Sequence, residues 1–411
     1  MNIAIVVGRF PAISETFILN QITGLLDRGH RVDILAHEPG ETDRMHPEVE
    51  SYRLLARTHY RPRLPRDPLT RLAKGFFLMM REGTRRPLAV ARSLNVVRFG
   101  WEALSLQLLY GISACRDLPP YDVIHCHFAN NALLIAHLRR IGAIRGRMLT
   151  TFHGHDVNRF PRRRGPDVYR PLFETCELYT ANTDFTADRA AELGCPRERI
   201  VKLPVGVRLD RYTFRPRRRE ADEPTRILSV GRLVEKKGFE YAIRAVARVV
   251  ERGHRIRYDI VGDGELRPPL EQLIADLHMQ ETIRLLGWKD QDELRSLYDR
   301  AHLFVLPSVT ARDGDREGQG LVLQEAQAMG LPVVSTLHNG IPEGVLDGRS
   351  AFLVPERDVV ALAERIEHLV AHPEVWEPMG RAGRALVEER FDIDKLNDRL
   401  VTVYERLIRG E

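Results

Sequence analysis

Short apolar runs bounded by glycine, proline or charge recur along the chain. Most are followed by a stretch whose apolar positions repeat every three to four residues. In the first half the runs are IAIVV, RVDIL, DVIHCHF, RMLTTFH, ELYTANT and IVKLP. In the second half they are RILSVG, RYDIVG, IRLLG, LFVLPS, PVVST and AFLVP. Their length and β-branched content predict strands, and stretches such as EYAIRAVARVVERG and DELRSLYDRA predict helices. Alternation of the two predicts an α/β fold with parallel sheets. The polar run PRRREADEPT, near residues 205–225, divides the pattern into two Rossmann-like halves. The expected division is a first domain over residues 1–206 and a second over 207–390. A terminal amphipathic helix over 391–411 is expected to cross back onto the first domain.

Residues 69–116 depart from the alternation, being helical, apolar and studded with arginine. One reading is a segment lying on anionic lipid. The other, which the pattern favours, is a helical insertion packed on the first domain, with Trp101 and the leucines as core.

Composition narrows the class. A chain of 411 residues exceeds one ordinary core. With 43% hydrophobic and 29% charged residues it is globular. The net charge is only +5, yet arginine clusters in RTHYRPRLPR, REGTRR, RFPRRRGPDVYR and RLDRYTFRPRRR. Such clusters suit phosphates or anionic membrane surfaces, or simply a solvated face. Cys115, Cys126, Cys176 and Cys195 form no C-x-x-C pair, which fits buried thiols in a reducing compartment. The N-terminal apolar run is short for a signal segment, and no apolar stretch is long enough to span a bilayer. The expectation is a cytoplasmic protein, peripheral at most on the inner face of the membrane, with no nucleic-acid partner.

In open parallel sheets ligands sit beyond the carboxyl ends of the strands. The first strand is expected to end at Gly8, with Ser14, Glu15 and Thr16 opening a helix. This is not G-x-G-x-x-G, so dinucleotide binding is not supported. His125, His127, His153, His155 and Asp156 form H-x-H and H-x-H-D, the spacing of a metal-dependent hydrolase. The other reading makes His153, at its strand end, a hydrogen-bonding group near a reacting centre. Arg232 and Lys237 follow a strand that ends at Gly231, and two cations at such a junction suit a diphosphate. Gly262 and Gly264 mark a tight turn, and Trp288 after Gly287 suits a nucleobase slot. Glu317 opens the turn Gly318–Gln319–Gly320, and Glu325 follows eight residues later inside a helix. A carboxylate before a helix and another inside it can grip two ends of one ligand. Asp313 and Asp315 read as loop structure or acceptor-side polarity.

GRLVEKKG, VGDGEL, PSV followed by the E-x7-E pair, and GIPEGVLDG together resemble the retaining glycosyltransferases of GT-B fold. FPAISETFILNQI, HFA, HGHD and LPSVTARDGDREG further resemble their bacterial exopolysaccharide branch, of colanic acid and amylovoran type. The resemblance implies two Rossmann-like domains facing each other across a cleft. It implies sugar transfer from a nucleotide-diphosphate donor, with retained anomeric configuration and no metal or other cofactor. The implied acceptor is lipid-linked, an oligosaccharide, or a small molecule in the case of a natural-product glycosyltransferase. Arg232 and Lys237 would neutralise the diphosphate, Glu325 would hold the ribose, and Glu317 with the backbone of 318–320 would hold the donor sugar. His153 would hydrogen-bond that sugar, and Gly8 would lie in the acceptor-side loop. Gln319, His338 and Asn339 depart from the common pattern near the donor sugar.

Overall fold

The computed structural model describes all residues except Ser14, Glu41, Asp43 and Arg44. The first sheet contains β1 (Asn2–Phe10), β2 (Arg31–Pro39), β3 (Thr58–Tyr60), β4 (Val123–His127), β5 (Arg147–Phe152), β6 (Leu178–Ala181) and β7 (Ile200–Lys202). Its order is β3-β2-β1-β4-β5-β6-β7. The second contains β8 (Thr225–Val230), β9 (Ile256–Val261), β10 (Ile283–Gly287), β11 (Leu303–Leu306), β12 (Val333–Thr336) and β13 (Ala351–Val354), in the order β10-β9-β8-β11-β12-β13. All pairings between these strands are parallel. Helices cover both faces of such sheets, so the central strands read as unbroken apolar runs: Ile3 to Val7 and Leu303 to Leu306 are buried throughout. Each of the twelve predicted runs is a strand. The unpredicted one, β3, is a three-residue edge strand whose mostly exposed sequence carries no apolar run.

The chain forms two compact units. The first holds Met1–Ala181, Ala187–Leu203 and Asn397–Glu411; the second holds Asn182–Thr186 and Pro204–Leu396. Asn182–Thr186 joins the second unit through Glu343, whose carboxylate accepts hydrogen bonds from the amides of Asp184 (2.9 Å) and Phe185 (3.2 Å).

Within the first unit the end of helix Ile393–Arg409 is fastened at Tyr404. This tyrosine is fully buried, and its hydroxyl lies 2.6 Å from His125 Nδ1. His125 Nε2 meets Thr151 Oγ1 at 2.6 Å, and Thr151 meets Thr180 at 2.5 Å. Three strands and the terminal helix thus share one hydrogen-bonded series.

Two expectations are corrected. Gly8 does not end the first strand: β1 continues to Phe10. A Cβ on Gly8 would lie 3.3 Å from Asn131 Oδ1, so the glycine makes room for that amide rather than a turn. Trp101 is not core either. Residues 68–114 form helices Pro68–Gly83, Pro87–Ser93, Val96–Leu104 and Gln107–Ala114. The core is built by Leu108, Leu109 and Ile112 of the last, while Trp101 is 69% exposed. The expected Ser14 cap lies outside the described residues; the helix that follows it is Thr16–Asp27.

Tyr404→Ala should cost about 3–5 kcal/mol, the usual range for emptying a large aromatic site. Tyr404→Phe should cost about 1–3 kcal/mol by leaving His125 Nδ1 unpaired. Chemical denaturation of the first unit's transition checks both, and a loss below about 1 kcal/mol for the alanine variant would contradict this fastening.

Candidate active site

In the second sheet the strand order turns back on itself between β8 and β11. Successive strands run outward to one side from β8 and to the other from β11. Side chains that follow these two strands therefore converge at one place. After β8 come Gly231, Arg232 and the short turn Glu235–Lys237, which ends in Lys237. A Cβ on Gly231 would lie 3.1 Å from Lys237 Cε, so the lysine stem crosses the strand end where Gly231 leaves space. Lys237 Nζ forms an ion pair with Glu317, which follows β11. Both side chains are largely buried. Burial works to raise the Glu317 carboxyl, but the neighbouring cations Lys237 and Lys236 outweigh it and bring it to about 2. Arg232 is exposed, and its guanidinium has no partner among the described residues.

The backbone of Glu317 is held from the β12 side. Its amide donates to His338 Nε2 at 3.1 Å, and its carbonyl accepts from Asn339 Nδ2 at 3.2 Å. Nε2 is therefore the lone-pair nitrogen, and Nδ1–H donates to Glu356 Oε1 at 2.5 Å. Burial first of all lowers the His338 pKa, which keeps this ring neutral. Glu356 also accepts from the Thr310 amide at 2.8 Å, so one carboxylate anchors both the histidine and the loop that carries Glu317. Sequence reasoning placed His338 and Asn339 near the site but missed this anchoring. Glu356 lies beyond the motifs, and only the sheet order brings it beside β12.

Gly320, at φ 73°, opens helix Leu321–Ala328, and no side chain caps its first turn. The left-handed backbone there explains the glycine. First-turn amides without an internal partner make a helix start receptive to anions. The Gln319 side chain points inward: Oε1 accepts from Val205 N at 2.7 Å, and Nε2 donates to Val205 O at 2.8 Å. What Gln319 offers a ligand is backbone alone. Glu325 sits one turn inside the helix and accepts from the Tyr298 hydroxyl at 3.0 Å, with Tyr212 as a second donor. Burial raises its carboxyl to about 7 against the pull of these hydroxyls and Lys237. Neither tyrosine is marked by a local motif, since both reach Glu325 only through the fold. Gly262, at φ 134°, has no room for a side chain: a Cβ would meet the Gly231 carbonyl at 1.9 Å. Trp288, just beyond β10, is 48% exposed. Asp315 pairs with Lys236 at 3.3 Å and its amide donates to Asp313 at 2.9 Å, which makes the D-G-D stretch part of the loop's own structure.

The histidine group lies in the first unit. His125 spends both nitrogens on Tyr404 and Thr151. His127 Nδ1 lies 3.0 Å from His153 Nε2. His155 is exposed. Among the described residues no three His, Cys, Asp or Glu side chains are gathered to hold a metal ion. His153 is half-buried between Phe17 and Phe128, with ring centroids 4.8 and 4.5 Å away. Phe128 adopts φ 67°, sparsely populated for such a residue. Burial, and then His127, hold His153 well below the usual imidazole range, so the ring is neutral. Asp156 fixes its backbone by accepting from the amides of His153 (3.0 Å), Gly154 (2.9 Å) and Ala129 (2.9 Å). The four cysteines are buried and unpaired.

Comparison with known proteins bears on both units. Residues 210–386 match the family described as Glycosyl transferases group 1, and residues 14–211 match Glycosyltransferase Family 4. The chain is 36% identical to the glycosyltransferase WcaL of Escherichia coli, named for colanic acid biosynthesis, over 99% of this chain and 100% of that one. It is 34% identical to the amylovoran biosynthesis glycosyltransferase AmsK of Erwinia amylovora, over 99% and 100%. The Anabaena protein HepE, solved with UDP and glucose, shares the fold with a TM-score of 0.72 at 18% identity, over 98% and 99% of the two chains. End-to-end likeness to two glycosyltransferases, with each half matching its own glycosyltransferase family, makes this chain a member of the group 1 glycosyltransferases of GT-B fold.

Proposed function

We propose that the chain is a retaining glycosyltransferase that moves a sugar from a nucleotide-diphosphate donor to a lipid-linked or oligosaccharide acceptor in cell-surface polysaccharide synthesis. The biological setting is supported by the relatives named for colanic acid and amylovoran biosynthesis. UDP and glucose in a structural neighbour support the donor class. The observation that carries the reading is the placement of Lys237, Glu317, the start of helix Leu321–Ala328 and Glu325 around one switch point of the second sheet.

Breaking the anomeric bond leaves negative charge on the departing diphosphate and positive charge on the sugar. In this reading Arg232, Lys237 and the helix start stabilise the first. Lys237 is poised beside Glu317 and needs only to share its charge between that carboxylate and the incoming phosphate. Glu317 and the backbone of 318–320 then hold the sugar hydroxyls, and Glu325 holds the ribose. The two cations and the helix start match the diphosphate charge, so the reading calls for no resident metal. His153 carries a separate assignment, a hydrogen bond to the donor sugar. Its Nδ1 is the ring nitrogen left after Nε2 is committed to His127.

Arg232→Ala and Lys237→Ala should each lower kcat with the preferred nucleotide sugar by about 10²–10³-fold, or on the order of 2–4 kcal/mol. A panel of UDP-, GDP-, ADP- and dTDP-sugars identifies that donor, and product NMR reads the anomeric configuration. Arg232 is exposed and unpartnered, so its variant should melt like the wild type. Unchanged turnover in both variants, or an inverted product, would sink the assignment.

Glu325 generates a pH signature. Its carboxyl stands at about 7 in the fold against 4.5 ordinarily, so the folded state holds the extra proton between those values. Stability from this group is therefore complete below about pH 4.5 and declines as pH rises towards 7. Glu325→Gln should gain in melting temperature relative to wild type as pH goes from 5 to 8. Nucleotide-sugar affinity should rise through about pH 7 in the wild type, as the carboxylate becomes able to accept ribose hydroxyls, and should be flat in the variant. Parallel pH profiles for the two proteins would refute the ribose role.

A further inference from the structure

Helix Pro68–Gly83 is apolar on two faces. One face, with Gly75, Leu78 and Met79, packs inward, and Gly75 leaves room for Leu106. The other carries Leu69, Leu72, Phe76 and Met80, which are 77%, 59%, 61% and 59% exposed. Their spacing of three to four residues draws one continuous stripe along the helix. Helix Val96–Leu104 repeats the arrangement: Phe99 and Ala103 are buried, whereas Val97 and Trp101 are 101% and 69% exposed. Both helices set their inner faces on helix Gln107–Ala114. Eleven of the seventeen exposed large hydrophobic side chains among the described residues fall between positions 69 and 104. Core packing cannot account for them, because their partners would have to come from outside the unit.

The charge on the same segment says what covers it. Arg63, Arg66, Lys74, Arg85, Arg92 and Arg98 are exposed, while Asp67 is the one exposed acid between positions 61 and 104. That carboxylate is already committed to the amide of Thr70 at 2.7 Å. A second copy docked across a two-fold axis would set these cations against the same cations, which opposes that pairing. The face matches an anionic lipid surface, where the stripe enters the acyl boundary and the cations meet phosphate. No helix among the described residues is long and apolar enough to cross a membrane, so the contact is one of lying on the surface. We infer that the outer faces of helices Pro68–Gly83 and Val96–Leu104 dock this protein on an anionic bilayer. This inference stands apart from the sugar-transfer reading, since vesicle binding requires no donor.

The test is flotation of the full chain with vesicles of equal parts phosphatidylglycerol and phosphatidylcholine, against phosphatidylcholine alone, at 50 and 500 mM NaCl. Most of the protein should float with the anionic vesicles at low salt. Binding should fall at least several-fold at high salt or on the neutral vesicles. The double variant Phe76→Ser, Trp101→Ser should lose at least tenfold in binding while melting like wild type, because neither side chain is buried. Tryptophan emission should shift to the blue on adding anionic vesicles, and Trp101→Phe should abolish the shift. Wild-type protein left unfloated at low salt, or a double variant that binds as well as wild type, would overturn the inference. So would a solution dimer that the same substitutions dissociate, since a second copy would then be the occupant.

Discussion

Two opposite charges, on Lys237 and Glu317, sit among largely buried side chains where β8 and β11 diverge. Neither would be stable there alone, because removing a charge from water costs several kcal/mol unless a partner and hydrogen bonds offset it. The geometry of the second unit's strand ends can be read as the means of keeping this pair in place. Gly231 leaves space for the lysine stem, His338 and Asn339 hold the glutamate's backbone, and Glu356 fixes the ring of His338. A pair held in this way keeps a cation ready beside a helix start without the disorder of an exposed lysine. It also leaves the carboxylate ionised across the whole neutral range.

Glu325 shows the opposite treatment of the same chemical group only eight positions further on. It has hydroxyl neighbours in place of a close cation, and burial lifts it to about 7. Two buried glutamates on one short stretch thus lie on opposite sides of the ordinary carboxylate value, because a lysine offsets burial at Glu317 and only hydroxyls and a more distant charge oppose it at Glu325. In the first unit the histidines follow a third pattern. Burial keeps them neutral, and they serve as hydrogen-bonding links between strands and the terminal helix. Histidines at metal-ligand spacing become a structural series here because His125 spends both nitrogens on hydroxyls and His127 Nδ1 meets His153 Nε2.

The helices between β3 and β4 stand outside this economy of buried polar groups. They bury one apolar face and leave the other in water with a fringe of cations. The sequence pattern could not tell the two faces apart, because both are apolar and both follow helical spacing. Trp101 and Leu108 are equally plausible core residues on a helical wheel; only the packing of Gln107–Ala114 shows which one is covered.

The alternation of short apolar runs with helical stretches determined by itself that this is a protein of parallel sheets, since buried central strands leave the same mark wherever they occur. It located twelve of the thirteen strands among the described residues and placed Arg232, Lys237, Glu317 and Glu325 at strand ends or helix starts. Tertiary structure alone decided what those residues touch. Tyr212 and Tyr298 on Glu325, Glu356 behind His338, and Asn131 against Gly8 all come from distant parts of the chain. Periodicity records which positions are buried, and that is a local property. Which buried atoms meet depends on strand order and on the paths between strands, and no local pattern encodes either.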